Sequence, residues 1–241
     1  MQQKAINIYK EFFDAKRNGQ KLLAILLDPD KIDWKNLNLL IFKINQSSAT
    51  YIFIGGSIVK SNRLDELILS IKEKCKLPIV LFPGNPSQIS DKADAILFLS
   101  LISGRDPNYL IEHQINAVPI LEKTSLEIIS TGYILIESGS ETAVERVSNT
   151  RPMPNSNVYY ISQTAKAGEM IGNKLIYLEA GSGAKNAVSL EVIRSVSKRI
   201  SVPLIVGGGI RSKTQIEEAF NAGADLIVIG TAFENDINFF D

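Results

Sequence analysis

The 241-residue sequence predicts an α/β fold, a (β/α)8 TIM barrel, and three observations predict it. Short apolar runs recur at 22–27, 51–54, 79–82, 95–99, 117–121, 133–136, 175–178, 204–206 and 226–229. They are continuous rather than alternating, as suits strands buried on both faces of a parallel sheet. Helical patterns lie between many of them, at 33–46, 62–75, 158–171, 189–199 and 214–222. The alternation also runs on without a linker, which favours one barrel domain over 1–241 against the alternative, a doubly wound open sheet.

The elements follow in order. Residues 1–20 read as a helix packed on the barrel, since Ile6, Tyr9, Phe12 and Phe13 share one side. The start at Met1-Gln2-Gln3-Lys4 is unlike a secretory signal, whose apolar core is about 7–15 residues long. No apolar run approaches the ~20 residues that span a bilayer, so a soluble, cytoplasmic protein is expected.

The first strand ends in Leu26-Leu27-Asp28-Pro29-Asp30-Lys31. Aspartate before proline often only shapes a turn. At a barrel mouth, Asp28 is equally a hard oxygen ligand suited to Mg²⁺ held against substrate phosphates. The second strand ends in Ile54-Gly55-Gly56-Ser57, where Ser57 either adds an oxygen to that ion or belongs to a small-residue turn. After the third strand, residues 83–94 hold two prolines and a glycine, too little chain for a crossover helix. One outer helix should therefore be lost there, leaving an apolar groove in the wall. Nine strand candidates compete for eight places. The 117–121 run is the one demoted to an extra strip, because 125–130 is too short to supply a barrel helix after it.

The last third carries the clearest chemistry. Tyr177-Leu178-Glu179-Ala180-Gly181-Ser182-Gly183, Val206-Gly207-Gly208-Gly209-Ile210-Arg211 and Ile229-Gly230-Thr231 are three strand ends that break into glycine and small hydroxyl residues. Such loops let a phosphate approach the main chain and the helix start that follows. Glu179 closes a buried strand, where a charge is costly and usually has a task; the alternative is a salt bridge to Lys185 or Arg211.

Composition excludes other classes. Lys plus Arg equals Asp plus Glu at 26 each, against a nucleic-acid partner or a polybasic membrane tail. Cys75 is the single cysteine, so no internal disulfide or cysteine metal site can form. His113 is the single histidine, read as a non-catalytic helix residue, which argues against histidine triads and zinc chemistry.

The set Leu27-Asp28-Pro29-Asp30-Lys31, Ile54-Gly55-Gly56-Ser57, Phe82-Pro83-Gly84-Asn85, the Tyr177–Gly183 stretch, Gly207-Gly208-Gly209-Ile210 and Ile229-Gly230-Thr231 resembles the geranylgeranylglyceryl phosphate synthase family, from about residue 21 to residue 235. That family is a modified barrel lacking one outer helix. The resemblance implies a prenyltransferase of ether lipid biosynthesis: the primary hydroxyl of sn-glycerol 1-phosphate attacks C1 of geranylgeranyl diphosphate and releases pyrophosphate. It implies Mg²⁺ held by Asp28 and Ser57, and catalysis by Glu179 as base with Tyr177 orienting the glycerol. Substrate would be bound by Tyr177, Leu178, Glu179, Ala180, Gly181, Ser182, Gly183, Gly207, Gly208, Gly230 and Thr231. A C20 tail would occupy the wall groove, with residues 100–102 among its neighbours. Burying twenty carbons at roughly 0.8 kcal/mol each has an upper bound of about 16 kcal/mol, so a fraction suffices to anchor it.

Some members carry a lysine two residues before the first-strand aspartate; here that position is Leu26, as in the family's other major branch. The 138–157 connection, with Arg146 and Arg151, either covers the mouth, contacts diphosphate or is a solvated loop. The family also implies a homo-oligomer with transient membrane contact through its lipid substrate. Two other readings stay open: a phosphate-handling barrel acting on a sugar phosphate or heterocycle, and a non-catalytic phosphoglycerol or polyprenyl carrier.

Overall fold

A computed structural model describes residues 7–240. The predicted contribution of Ile6, and the Met1 to Lys4 start, lie outside them.

Eight parallel strands close into a barrel in sequence order: β1 (Leu22–Leu27), β2 (Tyr51–Ile54), β3 (Ile79–Leu81), β4 (Ala95–Leu101), β5 (Glu127–Leu135), β6 (Leu175–Glu179), β7 (Leu204–Gly207) and β8 (Leu226–Ile229), with β8 pairing back to β1. Side-chain alternation divides each strand between two cores. Leu23, Ile25 and Leu27 of β1 face outward toward the helices, while Leu22 and Ala24 face the barrel interior with Phe53, Val80, Leu97 and Tyr177.

The surrounding helices are α1 (Ile8–Asn18), α2 (Leu37–Gln46), α3 (Leu64–Lys74), α4 (His113–Leu121), α5 (Ala143–Ser148), α6 (Val158–Met170), α7 (Leu190–Ser197), α8 (Lys213–Ala222) and α9 (Thr231–Asn235). α1 closes the bottom of the barrel. Its Ile8, Phe12 and Ala15 join the interior cluster. Glu127, the first residue of β5, accepts the Ile8 and Tyr9 backbone N–H groups at 2.6 and 3.0 Å, satisfying donors that a helix start leaves unpaired. Gly19 then ends the helix in the left-handed region, at φ 68°.

The predicted loss of a helix after the third strand is present. Between β3 and β4 stands only a 3₁₀ turn, Pro86–Gln88. Two expectations are corrected. The 117–121 run is no strip of sheet but the second half of α4, which follows a π-helical turn, Asn108–Glu112. Its helical period is masked because both of its faces are apolar: Ala117 and Leu121 are buried while Ile115, Val118 and Ile120 are exposed. Residues 127–130 in turn belong to β5, which starts earlier than its apolar run. No helix among the described residues is long and apolar enough to cross a membrane.

Candidate active site

A cavity of about 630 Å³ opens at the C-terminal ends of the strands, where a barrel of this kind builds its active site. It runs from the mouth, at Asp28, Ser57, Glu179 and Thr231, down beside the wall left without a helix. There Ile96 and Phe98 of β4 face Gln114 and Ala117 of α4, so α4 roofs an apolar groove. Of the expected groove residues 100–102, Leu101 lines the cavity; Ser100 is engaged by Gln114, and Ile102 packs beside Gly132 and Gly168.

Of the expected substrate residues, Tyr177, Glu179, Gly181, Ser182, Gly183, Gly208, Gly230 and Thr231 line this cavity. Leu178 and Ala180 do not: alternation turns their side chains into the outer core, so only their backbone is available. Gly207 lies beneath Tyr177, and a Cβ there would come 2.3 Å from the Tyr177 hydroxyl oxygen. At Gly208, with φ 81°, a Cβ would come 2.4 Å from Glu179 Oε1. Gly207 and Gly208 thus make room for two side chains of β6. Ser182 Oγ stands 3.5 Å from Thr231 Oγ1, which brings the β6 and β8 strand ends to one place.

Glu179 is buried, 5% exposed, and has no salt bridge among the described residues. The alternative partner Arg211 instead donates to the carbonyls of Ala184 and Lys185. Glu179 Oε1 accepts the Gly181 backbone N–H at 2.6 Å. Burial pushes the carboxyl up to about 7, opposed first by that N–H and then by the neighbouring Tyr177 hydroxyl. Although close enough to favour the carboxylate, the Tyr177 hydroxyl meets no partner at hydrogen-bonding geometry among the described residues. Burial, then the Glu179 charge, holds its pKa well above 10, so it remains a donor.

Three aromatic rings line the space beside Glu179. Phe82 stacks on Tyr177 at 5.1 Å between centroids, and Tyr133 meets Tyr177 edge-on at 5.3 Å. Tyr133 was not among the expected site residues; its signal is register, since β5 and β6 pair Tyr133 with Tyr177.

Asp28 sits on a 3₁₀ turn, Pro29–Lys31, where its Oδ1 accepts the Asp30 N–H at 3.1 Å. Its Oδ2 lies 3.6 Å from Lys31 Nζ, which is itself 3.0 Å from Glu234 Oε2 on α9. Burial pulls the Lys31 ammonium down, but Glu234 and then Asp28 more than offset it, and the net shift is upward. A Cβ at Gly56 would stand 3.2 Å from the Asp28 carboxylate, so that glycine keeps the oxygens uncrowded. Magnesium is usually held by one or two carboxylates together with substrate phosphates, and Asp28 and Ser57, both lining the cavity, offer hard oxygen donors of the kind such an ion takes. No cluster of three or more acidic, histidine or cysteine residues exists among the described residues to hold a metal alone.

The 138–157 connection contains α5. Arg146 of α5 lines the cavity and pairs with Glu141 at 3.3 Å, and Arg151 is exposed and away from the cavity. Thr142, which caps α5, rests against Gly181, so α5 is seated on the β6 strand end. His113 lines the groove and packs edge-on against Tyr109 at 4.8 Å.

Against known proteins, residues 17–240 match the model of the PcrB family. The geranylgeranylglyceryl phosphate synthase of Flavobacterium johnsoniae is 64% identical over 242 residues, covering 100% of both chains. That of Zunongwangia profunda is 51% identical over 221 residues, 92% of this chain and 94% of its own. Among solved structures, (S)-3-O-geranylgeranylglyceryl phosphate synthase from Thermoplasma acidophilum, in complex with its substrate sn-glycerol-1-phosphate, matches with a TM-score of 0.91 at 33% identity, over 98% of this chain and 94% of that one.

Proposed function

The chain belongs to the PcrB family, and from that premise we propose that it is a prenyltransferase joining sn-glycerol 1-phosphate to geranylgeranyl diphosphate in ether lipid biosynthesis. One observation carries the reading: a buried carboxylate, Glu179, stands where glycine-ended strand ends meet an apolar groove. A polar phosphate end and an apolar tail end then belong to two substrates whose reacting atoms meet at Glu179. The apolar groove also speaks against a sugar phosphate or heterocycle as the second ligand.

In this reading the loops at Gly181–Gly183, Gly208 and Gly230-Thr231 hold the glycerol phosphate. Tyr177 donates toward the glycerol, and Glu179 takes the proton of its attacking hydroxyl. With its pKa near 7, Glu179 is matched to base catalysis at neutral pH. The glycerol oxygen bonds to C1 of the prenyl chain as the C1–O bond to diphosphate breaks, its electron pair leaving with pyrophosphate. Positive charge developing at the allylic carbon faces the rings of Phe82, Tyr133 and Tyr177, whose π faces favour it. Asp28 and Ser57 would hold Mg²⁺, which supplies Lewis-acid neutralisation of the leaving charge.

The proposal includes a cytoplasmic location, transient membrane contact through the lipid substrate, and self-association. The exposed Ile115 and Val118 of α4 support contact with an apolar partner.

Incubation of the purified protein with Mg²⁺, geranylgeranyl diphosphate and each glycerol phosphate enantiomer tests the reading by mass spectrometry. An ether phosphate should form from the sn-1 enantiomer. Its absence would sink the proposal, and a protein that binds both ligands without turnover would be a carrier.

A further inference from the structure

Three charges meet at one corner of the mouth, where the turn after β1 faces the last helix. Lys31 Nζ lies 3.0 Å from Glu234 Oε2 and 3.6 Å from Asp28 Oδ2, and all three residues line the cavity. The turn beneath them is fixed. Pro29 opens it, Asp28 accepts from the Asp30 N–H, and the Asp30 carboxylate takes the Lys60 and Ser61 N–H groups at 2.8 Å each. Lys31 therefore rides on a rigid turn but carries a long side chain that is 46% exposed. The other cations lining the cavity are placed differently: Arg211 is committed to two backbone carbonyls, and Arg146 stands on α5 beside Glu141.

We propose that Lys31 binds the diphosphate of the prenyl donor, with Glu234 holding its ammonium at the mouth until that anion arrives. This inference rests on the prenyltransferase reading above. Asp28 and Glu234 put two negative charges where a polyanion must sit, and Lys31 is the cation among the described residues that offsets them. A diphosphate carries more charge than either carboxylate and offers several acceptor oxygens. The ammonium exchanges one partner for another by side-chain rotation alone, without the turn moving. Charge-assisted hydrogen bonds of this kind are among the stronger ones, so the exchange contributes measurably to donor affinity. It also places the donor's charged end beside Asp28, and Glu234 on α9 ties that corner to Thr231 at the start of the same helix.

The test is titration calorimetry of inorganic pyrophosphate in the presence of Mg²⁺, with steady-state kinetics on the full chain. Lys31→Gln should weaken pyrophosphate binding and raise the KM for geranylgeranyl diphosphate, each about tenfold, the loss expected for a hydrogen bond between charged groups. The KM for sn-glycerol 1-phosphate should hold. Glu234→Gln breaks the same ion pair but removes a negative charge, so it should tighten pyrophosphate binding. A merely structural ion pair would make the two variants alike. Equal weakening in both, or unchanged pyrophosphate affinity in Lys31→Gln, would overturn the inference. Should Lys31→Gln fail to fold, weakening in Glu234→Gln alone still overturns it. Pyrophosphate binding is read apart from turnover: a parent protein that forms no ether contradicts the reaction, whereas ether formation with unaltered Lys31→Gln binding contradicts only the role of Lys31.

Discussion

Tyr177 is fully buried, and among the described residues its hydroxyl has no partner at hydrogen-bonding geometry, although it stands close enough to Glu179 to favour that carboxylate. A buried polar group without a well-formed hydrogen bond costs about 1–3 kcal/mol. If Tyr177 donates to the glycerol as proposed, function and stability oppose each other at this residue. Tyr177→Phe should melt at the same temperature as the parent or higher, while kcat/KM for sn-glycerol 1-phosphate falls about tenfold or more. Melting curves and initial rates on the same preparations check both halves. A variant that loses stability and keeps activity would show that the hydroxyl belongs to the fold instead.

At the scale of elements, the missing helix after β3 is replaced by one side chain. Gln88, 3% exposed, donates from Nε2 to the Gly56 carbonyl at 2.9 Å and accepts the Gly84 and Gly56 N–H groups at 3.2 and 3.3 Å. It thereby fastens the β2 and β3 strand ends together beside Ser57. Gln88→Leu keeps the bulk but leaves three backbone groups unpaired, and should cost at least about 2 kcal/mol in denaturant unfolding. It should also raise the KM for the prenyl donor as the Ser57 loop loosens. A ΔΔG near zero would show that the loops hold themselves. The shortened connection itself was legible, because two prolines and a glycine in 83–94 leave no room for a helix. So were the strand ends of the last third, whose apolar runs stop sharply at glycine. The Ala117 to Leu121 segment misled because exposed Ile115, Val118 and Ile120 erase the polar face that marks a helix. The true start of β5 was hidden by Glu127, a charge at a strand start that is there to cap α1. Gln88, Tyr133 and Glu234 had no local signal at all. Their roles come from partners that closure of the barrel brings near, as with Lys31 and Glu234, 203 positions apart in the chain.

As a whole the molecule divides its cavity by polarity. One half is backbone and small hydroxyls at the ends of β6, β7 and β8; the other is the apolar wall of β4 under the roof of α4. A barrel with its full ring of helices would have covered that wall, so losing one helix is what leaves room for the long apolar tail of the proposed prenyl donor. The two halves meet at Glu179, a carboxyl that burial holds near pH 7. Its raised pKa means that the proton is retained as pH rises through the usual carboxylate range, and the base form appears only as pH passes about 7. The most direct measurement is thus the pH dependence of ether formation in the parent and in Glu179→Gln, with both substrates saturating. The parent rate should climb tenfold per pH unit below about 7 and level off above it, while Glu179→Gln is slower by roughly 10²–10⁴ and lacks that limb. A parent profile flat from pH 5.5 to 8, or a Glu179→Gln variant that works at the parental rate, would contradict the account.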